Sequence, residues 1–357
     1  MDPPDRPISI FNSCELEQFR HAGRIDPEQI RALKTASLKK FHAADSLLAT
    51  FPSCRDIAVP TLELVDRCDS QIDGASKLIL KTREGLLVET VILRIATGRS
   101  TVCISSQVGC AAACEFCATG RMGVAHNLTV DEILGQVVVA GRLLAAEQRQ
   151  LRNVVFMGMG EPLHNEAPVF ASLRLLTAQD YFNLTPRRVV VSTVGIADGM
   201  VRLAERFPGI GLALSLHSVR SEIRERLIPL ARRYPLAELR SSIQSANNLQ
   251  DRPVMIEYLM LQGLTDTDVD GDLLIEWLHG LDVHVNLIPY NEVEGTSPRL
   301  MASEPSVVAE FAGKLKRAGI GTTVRHSLGR DIAAACGQLV QRENRRIAQQ
   351  LAVMNLG

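Results

Sequence analysis

From residue 100 onward the chain alternates β-rich runs with helical segments, and few architectures accept that alternation: repeated βα units laid on a parallel sheet. Candidate strands are 101–105, 153–157, 189–193, 211–216, 254–261 and 284–289. Helices between them include 129–146, opened by the capping box Thr129-x-x-Glu132, and 270–280. The expected fold is α/β, a partial (β/α)6 barrel of the TIM type, uninterrupted by repeats or low-complexity linkers.

The working face of a βα barrel lies at the carboxyl ends of its strands. Polar or glycine-rich text follows these strands one after another. The first runs into a cysteine loop, the second into Gly158-Met159-Gly160-Glu161-Pro162, the third into Ser192-Thr193, the fourth into Ser215-Leu216-His217 and the sixth into Tyr290-Asn291. Glycine is needed where backbone must approach a ligand closely, and short polar groups suit a ribose or a carboxylate. A plain turn at the glycines and a strand-end cap at His217 are the competing readings.

The cysteine loop carries Cys110, Cys114 and Cys117 at C-x3-C-x2-C spacing, with no fourth thiol close behind. Structural zinc wants four protein ligands, whereas an iron–sulfur cube held by three thiolates keeps one iron open for a substrate. Zinc completed by a distant His or Cys, and three packed core thiols, are the alternatives. The small residues Ala111, Ala112 and Ala113 leave a cluster room.

A hydrophobic content of 46% in 357 residues supports a large core, and a net charge of −1 puts any grip on a polyanion in local patches. Eight scattered cysteines do not form the framework of a small secreted scaffold, and the N-terminus shows no apolar signal core, so a cytoplasmic protein without a membrane span is expected. Two basic groups compete between RNA contact and ordinary surface duty. Arg31, Lys34, Lys39 and Lys40 decorate a helix opened by Asp26-Pro27; Arg220, Arg224, Arg226, Arg232 and Arg233 follow His217, with Arg342, Arg345 and Arg346 as a weaker third set. Cys14, Cys54 and Cys68 are assigned to packing. Aromatics at 4% argue against extensive base stacking and for a single flipped base.

The cysteine spacing resembles that of the radical S-adenosylmethionine (SAM) superfamily. Further motifs are similar to the RlmN/Cfr family of radical SAM RNA methyltransferases: Ile104-Ser-Ser-Gln-Val-Gly-Cys110, Phe116-Cys-Ala-Thr-Gly120, Asn127-Leu-Thr129, Met157-Gly-Met-Gly-Glu-Pro162, Leu214-Ser-Leu-His217, Asn286-Leu-Ile-Pro289 and Ala334-Ala-Cys336-Gly-Gln-Leu339. They span residues 85 to 339, and the chain departs from the usual pattern after Leu339.

The resemblance implies a [4Fe-4S] cluster on Cys110, Cys114 and Cys117, and SAM held near Gly160, Glu161, Ser192, Ser215, Leu216, His217 and Asn291. It further implies that one SAM methylates Cys336 and that a second, cleaved at the cluster, yields a radical that takes hydrogen from that methyl. Cys103 then frees the methylated base through a transient disulfide with Cys336, and Glu89 accepts the ring proton. The implied substrate is an adenine carbon of large-subunit ribosomal RNA, C2 before C8 because C2 enzymes are the larger group, with tRNA as a second target. A flavodoxin or ferredoxin would supply electrons to a monomer. By pattern alone Cys103 is a packed strand thiol, Cys336 a helix-end thiol and Glu89 a solvent-facing strand residue; the resemblance reverses all three. The domains expected are an accessory domain with lead-in strands at 1–94, a core at 95–331 and a C-terminal segment at 332–357. A radical SAM enzyme with another substrate and a zinc-stabilised nucleic-acid-binding module are the rival classes.

Overall fold

The structure, a computed structural model, describes residues 7–95, 97–293, 300–325 and 327–339. A short strand β1 (Ile8–Ser9) leads to helices α1 (Ser13–Ala22), α2 (Pro27–Lys34) and α3 (Ala44–Thr50), and β2 (Ile57–Ala58) returns to pair with β1. Asp26 caps α2 by accepting from the Glu28 N–H at 2.8 Å, with Pro27 in the first turn, as the sequence predicts. Ile30, Leu33 and Leu38 are buried.

The basic residues of this stretch divide between two tasks. Arg31 and Lys40 are exposed, while the buried Lys34 reaches Asp180 at 2.8 Å and lies 3.8 Å from the centre of the Tyr181 ring. Lys39 donates to the carbonyl of Gln179 at 2.7 Å. Lys34 and Lys39 therefore dock the helices onto the main body.

Strands β3 (Glu63–Asp69), β4 (Ala75–Lys81), β5 (Leu87–Arg94) and β6 (Arg99–Ile104) pair antiparallel in sequence. A separate hairpin, β7 (Gln107–Cys110) and β8 (Gly123–Asn127), stands between β6 and helix α4 (Val130–Ala146), whose predicted capping box is formed. Alternation then proceeds through β9 (Gln150–Phe156), α5 (Glu166–Thr177), β10 (Val189–Thr193), α6 (Ala197–Arg206), β11 (Gly211–Ser215), α7 (Ser221–Leu227) and α8 (Leu236–Leu249). It ends with β12 (Val254–Met260), α9 (Asp268–Leu278), β13 (Val283–Pro289), α10 (Pro305–Arg317) and β14 (Gly321–Val324).

One ten-stranded sheet results, in the order β14-β13-β12-β11-β10-β9-β6-β5-β4-β3, parallel from β6 to β14. All six predicted strands are present. β14 was too short to register as text, and β3 was hidden by its polar sequence, which suits an exposed sheet edge. The boundary expected at residue 94 falls between two paired strands, because β5 hydrogen-bonds to β6 within this same sheet.

Apolar residues of the parallel strands and of α4 to α6 and α8 to α10 belong to the main core. A second apolar cluster joins Cys110 and Cys114 to Leu227, Ile228, Leu259 and Tyr290, and so seats the cysteine loop on the barrel mouth. Among the described residues no helix is long and apolar enough to cross a membrane.

Candidate active site

The cysteine loop owes its shape to two glycines. Gly109 has φ +85°, and a Cβ there would lie 1.7 Å from the carbonyl of Gly123 across the hairpin. A Cβ on Gly120 would lie 2.7 Å from the backbone nitrogen of Cys114, so the loop can fold back upon itself only without that atom. Glu115 donates its N–H to the carbonyl of Leu227 at 2.9 Å and fastens the loop to α7.

Burial pushes the Cys110 thiol up to about 12 and raises Cys114 and Cys117 as well; for Cys114 the two neighbouring thiols add to the effect. Thiols held protonated in this way release their protons when a metal takes the sulfurs.

The Gly158–Glu161 segment lies against the cysteine hairpin. A Cβ on Gly158 would lie 2.7 Å from the carbonyl of Ile104, and one on Gly160, whose φ is +101°, 2.6 Å from the Gln107 Cβ. The close approach that demands glycine here is to the protein's own β6–β7 segment, a correction to the expectation of a ligand alone. Ser106 and Gln107 donate to the Met159 carbonyl at 2.8 and 3.2 Å, and Met159 donates to Ser105 Oγ at 2.8 Å. Gln136 of α4, fully buried, pins Ser105 through both its N–H and its carbonyl, each at 2.9 Å.

Glu161 is buried, and its two oxygens accept from the N–H groups of Leu163 at 3.0 Å and Val194 at 2.8 Å. Burial raises its pKa to about 7 against those hydrogen bonds. His217 adopts φ +60° and accepts from the Leu259 N–H at Nδ1, 3.1 Å away, while its ring meets Phe116 of the cysteine loop edge-on at 4.8 Å. Burial and the nearby Arg224 charge lower its pKa to about 3, so it stays neutral.

Cys110, Cys114 and Cys117 line one cavity together with Gly160, Glu161, Ser192, Ser215 and His217. Two predicted residues stand apart from it. Leu216 points into the main core, and Asn291 binds the C-terminal strap, residues 327–339, its Nδ2 donating to Ser327 Oγ and to the Cys336 carbonyl.

Arg224 corrects the RNA reading of its cluster. It is 1% exposed and donates to the carbonyls of Ser215, Leu216 and Val194, bracing the ends of β10 and β11. Three of its neighbours are paired: Arg220 with Asp270 at 2.9 Å, Arg226 with Glu115 at 3.3 Å and Arg232 with Glu225 at 3.8 Å. The signal was available, since Arg224 shares a helix face with Leu227 and Ile228. Arg342, Arg345 and Arg346 lie outside the described residues.

Cys103, on β6, and Cys336, on the strap, line a second cavity of about 100 Å³. Cys336 also lines the first cavity, so it stands where the two meet. Glu89 is fully buried on β5, with Lys77 Nζ 3.9 Å from its Oε1, and lines neither cavity. It lies two residues before Val91, the cross-strand partner of Cys103, and so on the same sheet face. All eight cysteines are free: the expected Cys103–Cys336 disulfide is not formed in this structure. Two residues that sequence reasoning missed, Arg325 and Glu257, border the first cavity as an ion pair at 3.2 Å.

The strap itself is tied to several elements. Asp73 accepts from the Gly329 N–H, and Asp331 accepts from Ser70 and Gln71, at the β3–β4 turn. Ala118 and Thr119 of the cysteine loop donate to the carbonyls of Gly337 and Leu339. Gln338 donates to the Glu292 carbonyl beyond β13.

A family model described as the Radical SAM superfamily matches residues 104–274. A parallel sheet with three thiols at the carboxyl ends of its strands makes this a radical SAM enzyme. A probable RNA methyltransferase from Rhodopirellula baltica is 53% identical over 96% of this chain and 90% of its own. The dual-specificity RNA methyltransferase RlmN of Sorangium cellulosum is 38% identical, covering 92% of this chain and 90% of that one. The crystal structure of a radical SAM methyltransferase from Sphaerobacter thermophilus matches with a TM-score of 0.86 at 35% identity, over 93% of this chain and 99% of that one. The chain belongs to the RlmN/Cfr family of radical SAM RNA methyltransferases.

Membership implies an iron–sulfur cluster and SAM, and the donor set suits both. Three thiols face the cavity from the loop, while short polar side chains and backbone face it from the strand ends.

Proposed function

We propose that this enzyme methylates an adenine ring carbon, C2 in preference to C8, in large-subunit ribosomal RNA, with tRNA as a second substrate, and that it carries the new carbon on Cys336. Support comes first from one observation: Cys103 and Cys336, distant in the chain, line a single cavity that meets the cysteine-loop cavity at Cys336. The RlmN relatives carry the name dual-specificity RNA methyltransferase, which fits two RNA substrates.

An electron-poor sp2 carbon cannot attack a methyl donor as an amine does, so a radical route is needed, and the family resemblance puts the transferred carbon on Cys336. Bound at the three thiols, the cluster and SAM would supply the radical that takes hydrogen from the Cys336 methyl. Cys336 holds the carbon as a thioether, Glu89 accepts the ring proton, and Cys103 releases the product by displacing carbon from the Cys336 sulfur. Gly160, Glu161, Ser192, Ser215 and His217 hold SAM. A reducing cytoplasm, with a flavodoxin or ferredoxin as electron donor, suits these thiols, and the enzyme would act as a monomer.

A Cys103→Ala enzyme with bound cluster, given SAM, reductant and ribosomal RNA, should accumulate RNA covalently bound through Cys336. Digestion of RNA from cells lacking and regaining the gene, read by mass spectrometry, should restore 2-methyladenosine. Absence of any adduct from active preparations would sink the thioether route, and restoration of 8-methyladenosine would reverse the regiochemistry.

A further inference from the structure

Arg325 follows β14, where its backbone N–H donates to the Leu287 carbonyl at 2.9 Å. One guanidinium nitrogen lies 3.2 Å from Glu257 Oε2 and 3.8 Å from Met157 Sδ. Glu257 is itself held, its other oxygen accepting from Asn286 Nδ2 at 3.0 Å. The cation is therefore fixed from behind by β12 and β13.

Arg325 lines both cavities, as do Met157, Ile288 and Cys336, so it stands at the passage between them. In the cavity of Cys103 it is the one charged lining residue among the described residues; Val91, Leu93, Val155 and Leu328 make up much of the wall. A thiol in such a wall is a poor nucleophile, because thiolate in an apolar site lacks solvation. Burial pushes Cys103 up to about 12, an effect that Cys336 reinforces and that a Met157 backbone hydrogen bond and the Arg325 charge oppose. Cys103 must nonetheless act as a thiolate if it is to displace carbon from Cys336.

We propose that Arg325 is the positioning charge that makes Cys103 a usable nucleophile, held in place by Glu257 and Asn286. The role rests on the thioether route proposed above. In the step served, the Cys103 thiolate forms an S–S bond with the Cys336 sulfur of the RNA adduct. The bond from that sulfur to the methylene carbon breaks, its electron pair stays on the carbon, and a solvent proton completes the methyl group. A dithiol reductant later returns the disulfide to two thiols.

The groups facing Cys103 are few. Cys336 comes from the strap and Arg325 from the end of β14, with Glu257 of β12 behind it; the neighbouring strands β5 and β9 present Val91 and Val155. Glu89 of β5 and Lys77 of β4 share this face of the sheet without lining the cavity, Lys77 donating to the strap carbonyl of Ala333 at 3.3 Å. The Arg325 guanidinium keeps its proton more tightly than usual, first through Cys336, then through Glu257 and Cys103.

The test measures the rate at which methyl methanethiosulfonate modifies Cys103 in the cluster-loaded enzyme, without RNA, from pH 7 to pH 11, by mass spectrometry of its peptide. Because Cys103 is held up at about 12, its rate should climb about tenfold per pH unit across this range, and R325Q should run at least about tenfold below wild type at every pH. R325K should recover most of the loss. The double variant E257Q/R325Q should match R325Q, assigning the loss to the missing cation and keeping the test usable if R325Q alone folds poorly. A wild-type profile in R325Q or in the double variant would overturn the proposal. Because no RNA is involved, failure of the Cys103→Ala enzyme to form an RNA adduct would count against the proposed function and leave this result standing.

Discussion

The N–H of Ala118, one residue past the last cysteine of the loop, donates to the carbonyl of Gly337, one residue past Cys336, at 2.8 Å. The cysteine loop and the strap that bears Cys336 are thereby held in register, and Thr119 adds a second bond to the Leu339 carbonyl. Replacing Thr119 by Val should remove about 1 kcal/mol of this tie. Iron content should stay at the wild-type level while alkylation of the buried Cys103, whose cavity the strap helps to wall, becomes about fivefold faster, measured side by side on the same preparation. An unchanged alkylation rate would mean that the strap does not depend on that bond.

Arg224 should matter for folding more than for RNA affinity. Its replacement by Met strands three carbonyls at the ends of β10 and β11, one buried and two part-buried, at a cost of about 2–5 kcal/mol. Guanidinium unfolding monitored by circular dichroism reads this directly. A variant as stable as wild type, but weakened in RNA binding with a shallower salt dependence, would restore the phosphate-contact reading.

Glu161 and His217 should give opposite pH dependences of stability. Glu161 has a folded pKa raised to about 7, so the folded state holds its proton more tightly, and its contribution falls as pH rises from the unfolded value to about 7. His217 is lowered to about 3, so the unfolded state holds the extra proton, and its contribution is lost as pH falls from about 6.5 toward 3. Unfolding free energies between pH 4.5 and 7 should therefore rise more steeply with pH in E161Q than in wild type, and less steeply in H217Q. Parallel curves for all three proteins would refute both assignments.

Each of Cys110, Cys114 and Cys117 should be needed for iron. Single Ala replacements should bring iron and sulfide after anaerobic reconstitution close to zero and abolish the reducible brown chromophore, while Cys14→Ala should leave both at the wild-type level. Zinc bound in place of iron by the wild-type protein would argue for the structural-metal alternative.

Legibility followed the physical nature of each signal. Six parallel strands were readable because buried strands are written as continuous Val, Ile and Leu runs, and α4 because Thr129 and Glu132 cap it locally. Strand β3 was not, since an exposed edge needs no apolar text. The burial of Arg224 is written in the apolar residues that share its helix face, Leu227 and Ile228, and not in its charge. Arg325 and Glu257 went unseen for a different reason: an ion pair between the chain after β14 and a residue within β12 has no sequence spacing to recognise.

What the sequence by itself determined is the local chemistry: three thiols in a short loop, glycines where chain crosses chain, strand and helix periodicity, and motifs sufficient to name the family. Only the tertiary structure decided which distant groups share a space. The sheet puts Cys103 on β6, where its parallel part meets the antiparallel strands, and the strap, tied to the β3–β4 turn, the cysteine loop and the end of β13, brings Cys336 to the same cavity beside Arg325. Long-range hydrogen bonds and buried charge pairs make that choice, and these depend on distances in space that sequence separation does not encode.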